Sequence, residues 1–150
     1  MKKPPKGWPR MASAVFYDDA AAAIDWLCRA FGFEVRLRIE GEGGRIEHSE
    51  LMFGEGLIMV GQEGEGPQPE HRQMVSPRST GGANTHVLCV VVDDVDAHCA
   101  RARAEGAEIF REPQTSDYGS EYASDRSYGA RDPEGHMWFF MHRVRDARKP

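Results

Sequence analysis

The stretch RIEHSEL carries the side chains of this chain that are best suited to chemistry. His48 and Glu50 stand two residues apart, so in a β-strand both side chains leave from the same face. Together with His86 they would supply two imidazoles and one carboxylate, the ligand set of non-haem iron enzymes. A solvated polar face opposite Leu51 and Phe53 is the alternative, and it is the favoured interpretation because half-exposed strands commonly alternate in this way.

Metal-free chemistry is also open to these residues, since His86 or Glu50 can serve as a general base. Other catalytic patterns are absent: the sequence has no Gly-rich phosphate loop, no nucleophile elbow and no H-E-x-x-H pair. Asp-Asp pairs occur at residues 18–19 and 93–94, but helix N-capping explains both. The catalytic candidates are therefore His86 and Glu50.

Two parts of the chain share one sequence pattern. This internal repeat predicts the architecture that positions the candidate residues. The segments AVFYDDAAAAIDWLCRAFGFEV (Ala14 to Val35) and CVVVDDVDAHCARARAEGAEI (Cys89 to Ile109) each contain an apolar strand, Asp-Asp, a helix, a glycine and a strand opening with Glu. Gly32 and Gly106 fit helix C-caps. Further strand-like runs follow in both halves, so each half is predicted to be a β-α-β-β-β module.

The predicted fold class is α+β, with two tandem β-α-β-β-β modules forming a cup-shaped mixed sheet and the helices outside. A Gly-, Pro-, Ser- and Gln-rich stretch between the modules is typical of a linker. The predicted division of the chain is a flexible basic N-terminus (1–10), a first module (11–62), the linker (63–85), a second module (86–142) and a charged C-terminal tail (143–150).

The stretch SDYGSEYASDRSYGARD is predicted to contain a long polar loop followed by a strand at YGARD, and long polar loops at the rim of a cup often cover a ligand. Tyr118, Tyr122 and Tyr128 offer stacking surfaces with hydroxyl groups. Arg126 or Arg131 can bind a carboxylate or phosphate. A solvent-exposed loop with an ordinary edge strand is an equally good interpretation of each residue.

Composition and charge exclude several classes of protein. The chain has 150 residues and a formal charge of −5, which argues against a nucleic-acid surface. No apolar run approaches the about 20 residues that cross a bilayer, and the basic start contains prolines rather than a signal peptide's apolar core. Basic residues at the two tips, Lys149 among them, are predicted to be solubilising ends.

Cysteine usage indicates a reducing compartment. Cys28, Cys89 and Cys99 are an odd number with no C-x-x-C pair, and each lies in an apolar or helical stretch. Reduced, structural thiols are therefore expected, and with them a cytoplasmic location.

From Met11 to His142 the chain resembles the vicinal-oxygen-chelate superfamily, which includes glyoxalases, extradiol dioxygenases, fosfomycin-resistance enzymes and bleomycin-resistance proteins. The paired repeat, combined with DPEG before the last strand, carries the resemblance. WLCRAFGFE and YGARDPEGH resemble the glyoxalase-like branch, whose members mostly lack an assigned reaction. Asp-Pro-x-Gly alone would be weak, because it is also a favourable type I turn.

The resemblance implies four positions for a divalent metal, counted from the Asp-Asp pairs and from the glycines that precede the last strands. They fall on Met11, Val60, His86 and Phe139 in this sequence. Only His86 is a ligand for a hard or borderline metal, so His86 is the one retained position. The sequence therefore predicts no metal by the family pattern, and a divalent metal only at a displaced set such as His48, Glu50 and His86.

The last strand, HMWFFMH, alternates between two faces. Phe139 occupies a ligand position, so Met137, Phe139 and Met141 are predicted to line the concave face. Trp138 and Phe140 then pack under the helices. Met and Phe would make the cup floor soft and apolar.

The leading hypothesis is a bleomycin-resistance-like protein that binds an apolar or aromatic small molecule in the cup without a metal cofactor. The predicted ligand-binding residues are His86, His48, Glu50, Tyr118, Tyr122, Arg126, Met137, Phe139 and Met141. The alternative is a glyoxalase-type lyase or isomerase or a dioxygenase, either metal-dependent or based on His and Glu. A protein-interaction module is a third class, and the resemblance implies a homodimer.

Overall fold

In the computed structural model, which describes residues 1–148, the chain divides into two compact units, Met1–Ala83 and the remainder from Asn84. Each unit contains one β-α-β-β-β module, so the predicted α+β class and the tandem repeat are confirmed. Within these residues no helix is both long and apolar enough to cross a membrane.

The first module is a four-stranded mixed sheet with one helix. Its elements are β1 (Ser13–Tyr17), α1 (Ala20–Phe31), β2 (Glu34–Glu40), β3 (Ile46–Phe53) and β4 (Gly56–Gln62). The strand order is β1-β4-β3-β2; β1 and β4 are parallel and the other pairs are antiparallel.

Helix α1 begins and ends where its sequence provides caps. The Asp19 carboxylate accepts a hydrogen bond of 3.0 Å from the Ala22 amide, and Gly32 ends the helix with φ of 83°. Ile24, Leu27 and Phe31 are buried at helical spacing. They pack over one face of the sheet, which is therefore its helix face; the opposite face is called the open face below.

The second module repeats this topology. Its elements are β5 (Leu88–Val91), α2 (Val95–Ala104), β6 (Glu108–Asp117), β7 (Ser124–Arg131) and β8 (Met137–Arg145). The order is β5-β8-β7-β6, again with one parallel pair, β5 and β8. Asp94 caps α2 by accepting from the Ala97 amide at 3.0 Å, and Nδ1 of His142 accepts from the Val95 amide at 3.1 Å.

The core of the second module lies between α2 and the helix face of its sheet. Trp138 and Phe140 are fully buried there, and the ring of Tyr128 stacks on Phe140 at 5.1 Å. Phe139 and Met141 alternate with them on the open face and are half-buried. The predicted alternation of the last strand is confirmed.

The strand predicted at YGARD belongs to β7, but β7 begins earlier, so the tyrosine-rich loop is shorter than predicted. Strand β6 continues to Asp117 and β7 begins at Ser124, so only residues 118–123 form a turn. Tyr128 belongs to the core, where its hydroxyl lies 2.7 Å from Nδ1 of His98. Polar composition suggested a loop, but in a β-hairpin the ladder hydrogen bonds satisfy the backbone whatever the side chains are.

The predicted linker, residues 63–85, contains two short 3₁₀ segments, Pro69–Gln73 and Pro77–Thr80. Glu63 attaches it to the first module. Its amide donates to the Tyr17 carbonyl of β1. Within the linker, the Glu63 carboxylate accepts from the Ser76 amide at 2.7 Å and from the Ser79 hydroxyl at 2.6 Å. Residues 63–74 are called the covering segment below.

The two chain ends differ from simple tails. At the N-terminus, Arg36 of β2 donates to the Gly7 carbonyl and stacks on the Trp8 ring at 5.8 Å. At the C-terminus, β8 continues to Arg145, beyond the predicted end of the module at residue 142. Lys149, one of the predicted solubilising residues, lies outside the described residues.

Candidate functional site

A cavity of about 820 Å³ lies on the open face of the first sheet. This volume is in the range of small-molecule sites in proteins. Three strands and the covering segment surround it. Its floor consists of Ala14, Phe16, Ile46, His48, Met59 and Gly61.

The register of the strands explains why these side chains share one face. Ala14 is opposite Met59 and Phe16 is opposite Gly61 across the parallel β1–β4 pair, and Met59 is opposite Glu50 across β3–β4. Partners in a ladder point to the same side of a sheet. The cavity floor is therefore a continuous row of open-face positions.

Gly61 determines where the aromatic part of the floor lies. A Cβ atom on Gly61 would lie 3.0 Å from Cε1 of Phe16, so the phenyl ring rests directly on the glycine. Met59 lies beside the ring in the floor, and Met74 of the covering segment also borders the cavity. Phenyl and thioether groups together give an apolar, polarisable surface that adapts to flat ligands.

Charged and polar groups surround the mouth of the cavity. Arg45 forms an ion pair with Glu65 of the covering segment, and His71 of the same segment also borders the cavity. Nδ1 of His71 lies 3.1 Å from the Gln68 amide, which donates to it. An apolar floor with a polar rim is the usual composition of a small-molecule site.

Two predicted residues meet at the edge of this cavity. Nε2 of His48 lies 3.2 Å from Oε1 of Glu50, and Oε2 of Glu50 lies 3.4 Å from Nε of Arg36. Glu50 is 6% exposed, whereas His48 is half-exposed and lines the cavity. The favoured interpretation, a solvated polar face, is therefore wrong for Glu50: it is a buried carboxylate with two partners.

His86 lies in the second unit, just before β5, and is exposed. Within residues 1–148 no group of three or more His, Cys, Asp and Glu side chains is arranged to hold a metal ion. The roles predicted for His86 stay predictions.

Two of the four positions counted as metal ligands do not lie on an open face. Met11 precedes β1 and is 88% exposed, and Val60 is 1% exposed on the helix face between Met59 and Gly61. Counting from the turn glycine fails because the β3–β4 turn has two residues, 54–55, whereas the β7–β8 turn has five, 132–136. A different turn length changes which residues face the same way.

On the open face of the second sheet the side chains form an aromatic and cationic cluster. Phe139 packs edge-to-face on Phe110 with the ring centroids 5.5 Å apart. The guanidinium of Arg111 lies 5.8 Å from the Phe139 ring centroid, and that of Arg131 lies 5.0 Å from the Phe110 centroid. Met137 and Met141 are half-buried on the same strand face.

The other predicted ligand residues lie apart from this cluster. Tyr118 and Tyr122 are 59% and 65% exposed at the β6–β7 turn. Arg126 makes a two-pronged ion pair with Asp96 at the start of α2, both contacts being 2.6 Å. This pair holds the pKa of the Asp96 carboxyl below its usual range.

The turn before β8 has a structural role. Oδ1 of Asp132 accepts from the amides of Glu134 and His136, and Oδ2 accepts from the Trp138 indole at 3.0 Å. Asp132 is buried, so its oxygens need these donors. The DPEG motif therefore fixes the β7–β8 turn and the core tryptophan.

Burial raises the pKa of four further groups, one tyrosine and the three cysteines. Burial raises the pKa of the Tyr128 hydroxyl far above its usual range, so it stays protonated. Burial likewise raises the pKa of Cys28, Cys89 and Cys99, which favours unreactive thiols. Cys89 is nevertheless exposed, contrary to the expectation that all three are structural.

Phe16, Met59 and Arg111 belong to the two open faces but were not predicted from the sequence as site residues. For Phe16 and Met59 the available signal was the strand alternation in AVFY and IMVGQ. This alternation places their side chains on the other face of the sheet from the buried Val15 and Val60. No comparable signal exists for Arg111, because a register shift in β6 follows Ile109.

A repeated β-α-β-β-β module with a ligand-sized cavity on one open face defines the architecture of a glyoxalase-like protein. The family model of the Glyoxalase/Bleomycin resistance protein/Dioxygenase superfamily matches residues 11–140. The chain belongs to this superfamily.

Individual relatives agree with this assignment. TioX from Micromonospora sp. ML1 superposes with a TM-score of 0.68 at 35% identity, covering 91% of this chain and 99% of TioX. An uncharacterized protein of Mycobacterium bovis is 29% identical over 138 residues, 92% of this chain and 86% of that protein. TnmS3 from Streptomyces sp. CB03234, described as an antibiotic binding protein, superposes at 0.63 with 20% identity, covering 89% and 93% of the two chains; this likeness shows the fold alone.

Proposed function

We propose that this protein binds an apolar or aromatic small molecule in the first-module cavity and that it does so without a metal. The observation that carries the proposal is the cavity itself, whose floor contains Phe16, Ile46 and Met59, with His48 as its one ionisable side chain and further polar groups around it. Burying the faces of a flat apolar molecule against a phenyl ring and a thioether is favourable by about 25 cal/mol per Å² of apolar area removed from water. TnmS3, which shares the fold, is described as an antibiotic binding protein.

The metal-free part of the proposal rests on donor chemistry. A divalent metal of this superfamily needs three or four nitrogen or oxygen ligands. The positions that the resemblance assigns to it include a thioether and an alkyl group, and Phe139 lies under the cationic Arg111. These residues do not fit a metal ion.

Calorimetric titration with flat aromatic antibiotics and aromatic metabolites tests the proposal. Met59→Trp should place an indole ring in the floor where the ligand would lie and weaken binding of the tightest compound at least about tenfold. Met52→Trp is the matched control, because Met52 is a half-buried methionine in the same sheet that does not border the cavity. Equal effects of the two substitutions, or no binding by the whole panel, would contradict the proposal.

An enzyme is the second candidate, and the His48–Glu50 pair favours it. A histidine that lines a cavity, with a buried carboxylate at 3.2 Å to orient its ring, has the arrangement of a general base. Such a base would remove a proton next to a carbonyl, as a glyoxalase-type isomerase or lyase requires. NMR in D₂O measures the rate at which the protein exchanges this proton in a panel of 2-oxoaldehyde thiol adducts. The rate should be at least about a hundredfold lower in His48→Gln, and an unchanged rate would remove this candidate.

Elemental analysis separates metal-dependent chemistry from both candidates. The proposal predicts substoichiometric zinc, nickel, manganese and iron after purification without chelator. A stoichiometric metal that disappears in His86→Ala would overturn it in favour of a metal-dependent lyase or dioxygenase.

Assembly and location stay predictions. We propose a cytoplasmic homodimer that binds neither nucleic acid nor membrane. Light scattering after gel filtration tests the dimer, and cell fractionation tests the location.

A further inference from the structure

We propose that Arg111 makes the open face of the second module a recognition site for an oxyanion attached to a flat apolar body, such as an aryl carboxylate. Three observations carry this inference: the uncompensated charge of Arg111, the way its guanidinium is held, and the phenyl rings beside it. None of them depends on the cavity of the first module, so the inference goes beyond the proposed function.

Arg111 differs from the neighbouring arginines in its charge balance. Arg131 pairs with Glu108 at 2.8 Å and Arg126 pairs with Asp96 at 2.6 Å. Among residues 1–148, Arg111 has no carboxylate within 4.0 Å, although it is half-buried. A half-buried guanidinium without an anionic partner attracts an anion more strongly than an exposed one does, because water screens its charge less.

A neutral side chain fixes the guanidinium of Arg111. With its amide oxygen directed at the arginine, Gln114 accepts from Nη2 at 2.6 Å and from Nε at 2.8 Å. This contact orients the planar group without neutralising it. Nη1 is left for a second acceptor, and an oriented arginine loses less conformational entropy when it binds one.

The strand register places an aromatic surface next to this donor. Arg111 is opposite Gly129, and Gly129 is opposite Phe139, so the three positions form a row across the sheet. Because Gly129 has no side chain, the Phe110 ring occupies its place, 2.4 Å from where a Cβ atom would lie. Phe110 and Phe139 then present apolar rings beside the guanidinium, which suits a ligand with an apolar body and one anionic group.

The same arrangement disfavours a cation. A metal ion near Phe139 would face the positive charge of Arg111 at short range, and like charges repel. The second module thus offers an anion site at one of the positions where the resemblance implied a metal.

Titration of the full-length protein with benzoate and with its neutral isostere benzamide tests the inference, with the backbone amides of Gly129 and Phe139 as NMR reporters. Benzoate should bind at least about tenfold more tightly than benzamide, since only benzoate carries the negative charge that makes its hydrogen bond to the guanidinium charge-assisted. Arg111→Met should abolish this preference and leave benzamide binding unchanged.

Arg131→Met is the matched control, because Arg131 also lies over a phenyl ring of the cluster but is paired with Glu108. It should keep the preference for benzoate within about twofold, and Arg111→Lys should keep only part of it. Equal affinity of the wild-type protein for benzoate and benzamide, including no detectable binding of either, overturns the inference. So does an equal loss in the Arg111 and Arg131 variants when both melt at the wild-type temperature.

Discussion

The two modules share a topology but differ on their open faces. In the first, Ala14, Phe16, Met59 and Gly61 of β1 and β4 leave a cavity of about 820 Å³ that the covering segment borders. In the second, Phe110, Phe139 and two arginines occupy the corresponding face. The repeated backbone therefore sets where a site can form, and the size and charge of a few open-face side chains decide what that site can bind.

The largest expected effect separates the two faces of β8. Phe140→Ala should lower the free energy of unfolding by about 3–5 kcal/mol, because the ring is fully buried against α2. Phe139→Ala should cost about 1–2 kcal/mol, since this ring is only half-buried. Urea unfolding measures both, and equal losses would show that the assigned faces of the strand are wrong.

The two hairpin turns should differ next. Asp132→Ala removes the acceptor for two amides and the Trp138 indole and should cost about 2–3 kcal/mol. Glu55→Ala, at the exposed two-residue turn of the first module, should change stability by less than about 0.5 kcal/mol. Urea unfolding measures both losses, and a small effect of Asp132→Ala would show that Asp132 does not stabilise the turn.

The two open faces also differ in how closely a phenyl ring packs on a glycine. Gly129→Ala would place a Cβ atom 2.4 Å from the Phe110 ring, whereas Gly61→Ala would place one 3.0 Å from Phe16. The first should cost about 1–2 kcal/mol and the second less than about 1 kcal/mol, because the closer overlap demands the larger shift. Thermal melting of the two variants checks the order, and the reverse order would contradict the described ring positions.

The smallest effect concerns the helix starts. Helix α2 has Asp96 in its first turn, paired with Arg126, while α1 has no acidic residue there. The pair lowers the pKa of Asp96 in the folded state, so its stabilising contribution is present above the ordinary pKa and is lost as pH falls through the lowered one. NMR titration should show the Asp96 pKa raised toward its ordinary range in Arg126→Met, because the largest lowering contact is lost; an unchanged value would show that the pair is not formed in solution.

Much of the fold could be predicted from the sequence, because local signals and burial agreed. The Asp-Asp pairs marked both helix starts, although only the second aspartate of each, Asp19 and Asp94, is the cap. The alternation of Trp138, Phe139 and Phe140 was correct because one face of β8 is covered by a helix. Such patterns can be recognised from residues that lie close together in the sequence.

The site was predictable only in part. His48 and Glu50 were identified as sharing a strand face, but the burial of Glu50 beside Arg36 depends on a contact between β2 and β3. Val60 was assigned to the wrong face of β4, because the length of the preceding turn, and not the spacing from the motif, determines which residues of a strand face the same side. The composition of the covering segment is that of a linker, so its contribution to the cavity was not predicted. The hydrogen bonds of Glu63 to Ser76 and Ser79 join residues far apart in the sequence, and such contacts leave no local pattern.

A crystal structure with the tightest-binding aromatic compound tests the central claim most directly. The protein should be purified without chelator, and data should be collected at the zinc, nickel, manganese and iron absorption edges. We expect ligand density against Phe16 and Met59 in the first-module cavity and no anomalous peak. An anomalous peak with His48, Glu50 or His86 as a ligand, or an empty cavity with the compound bound elsewhere, would contradict it.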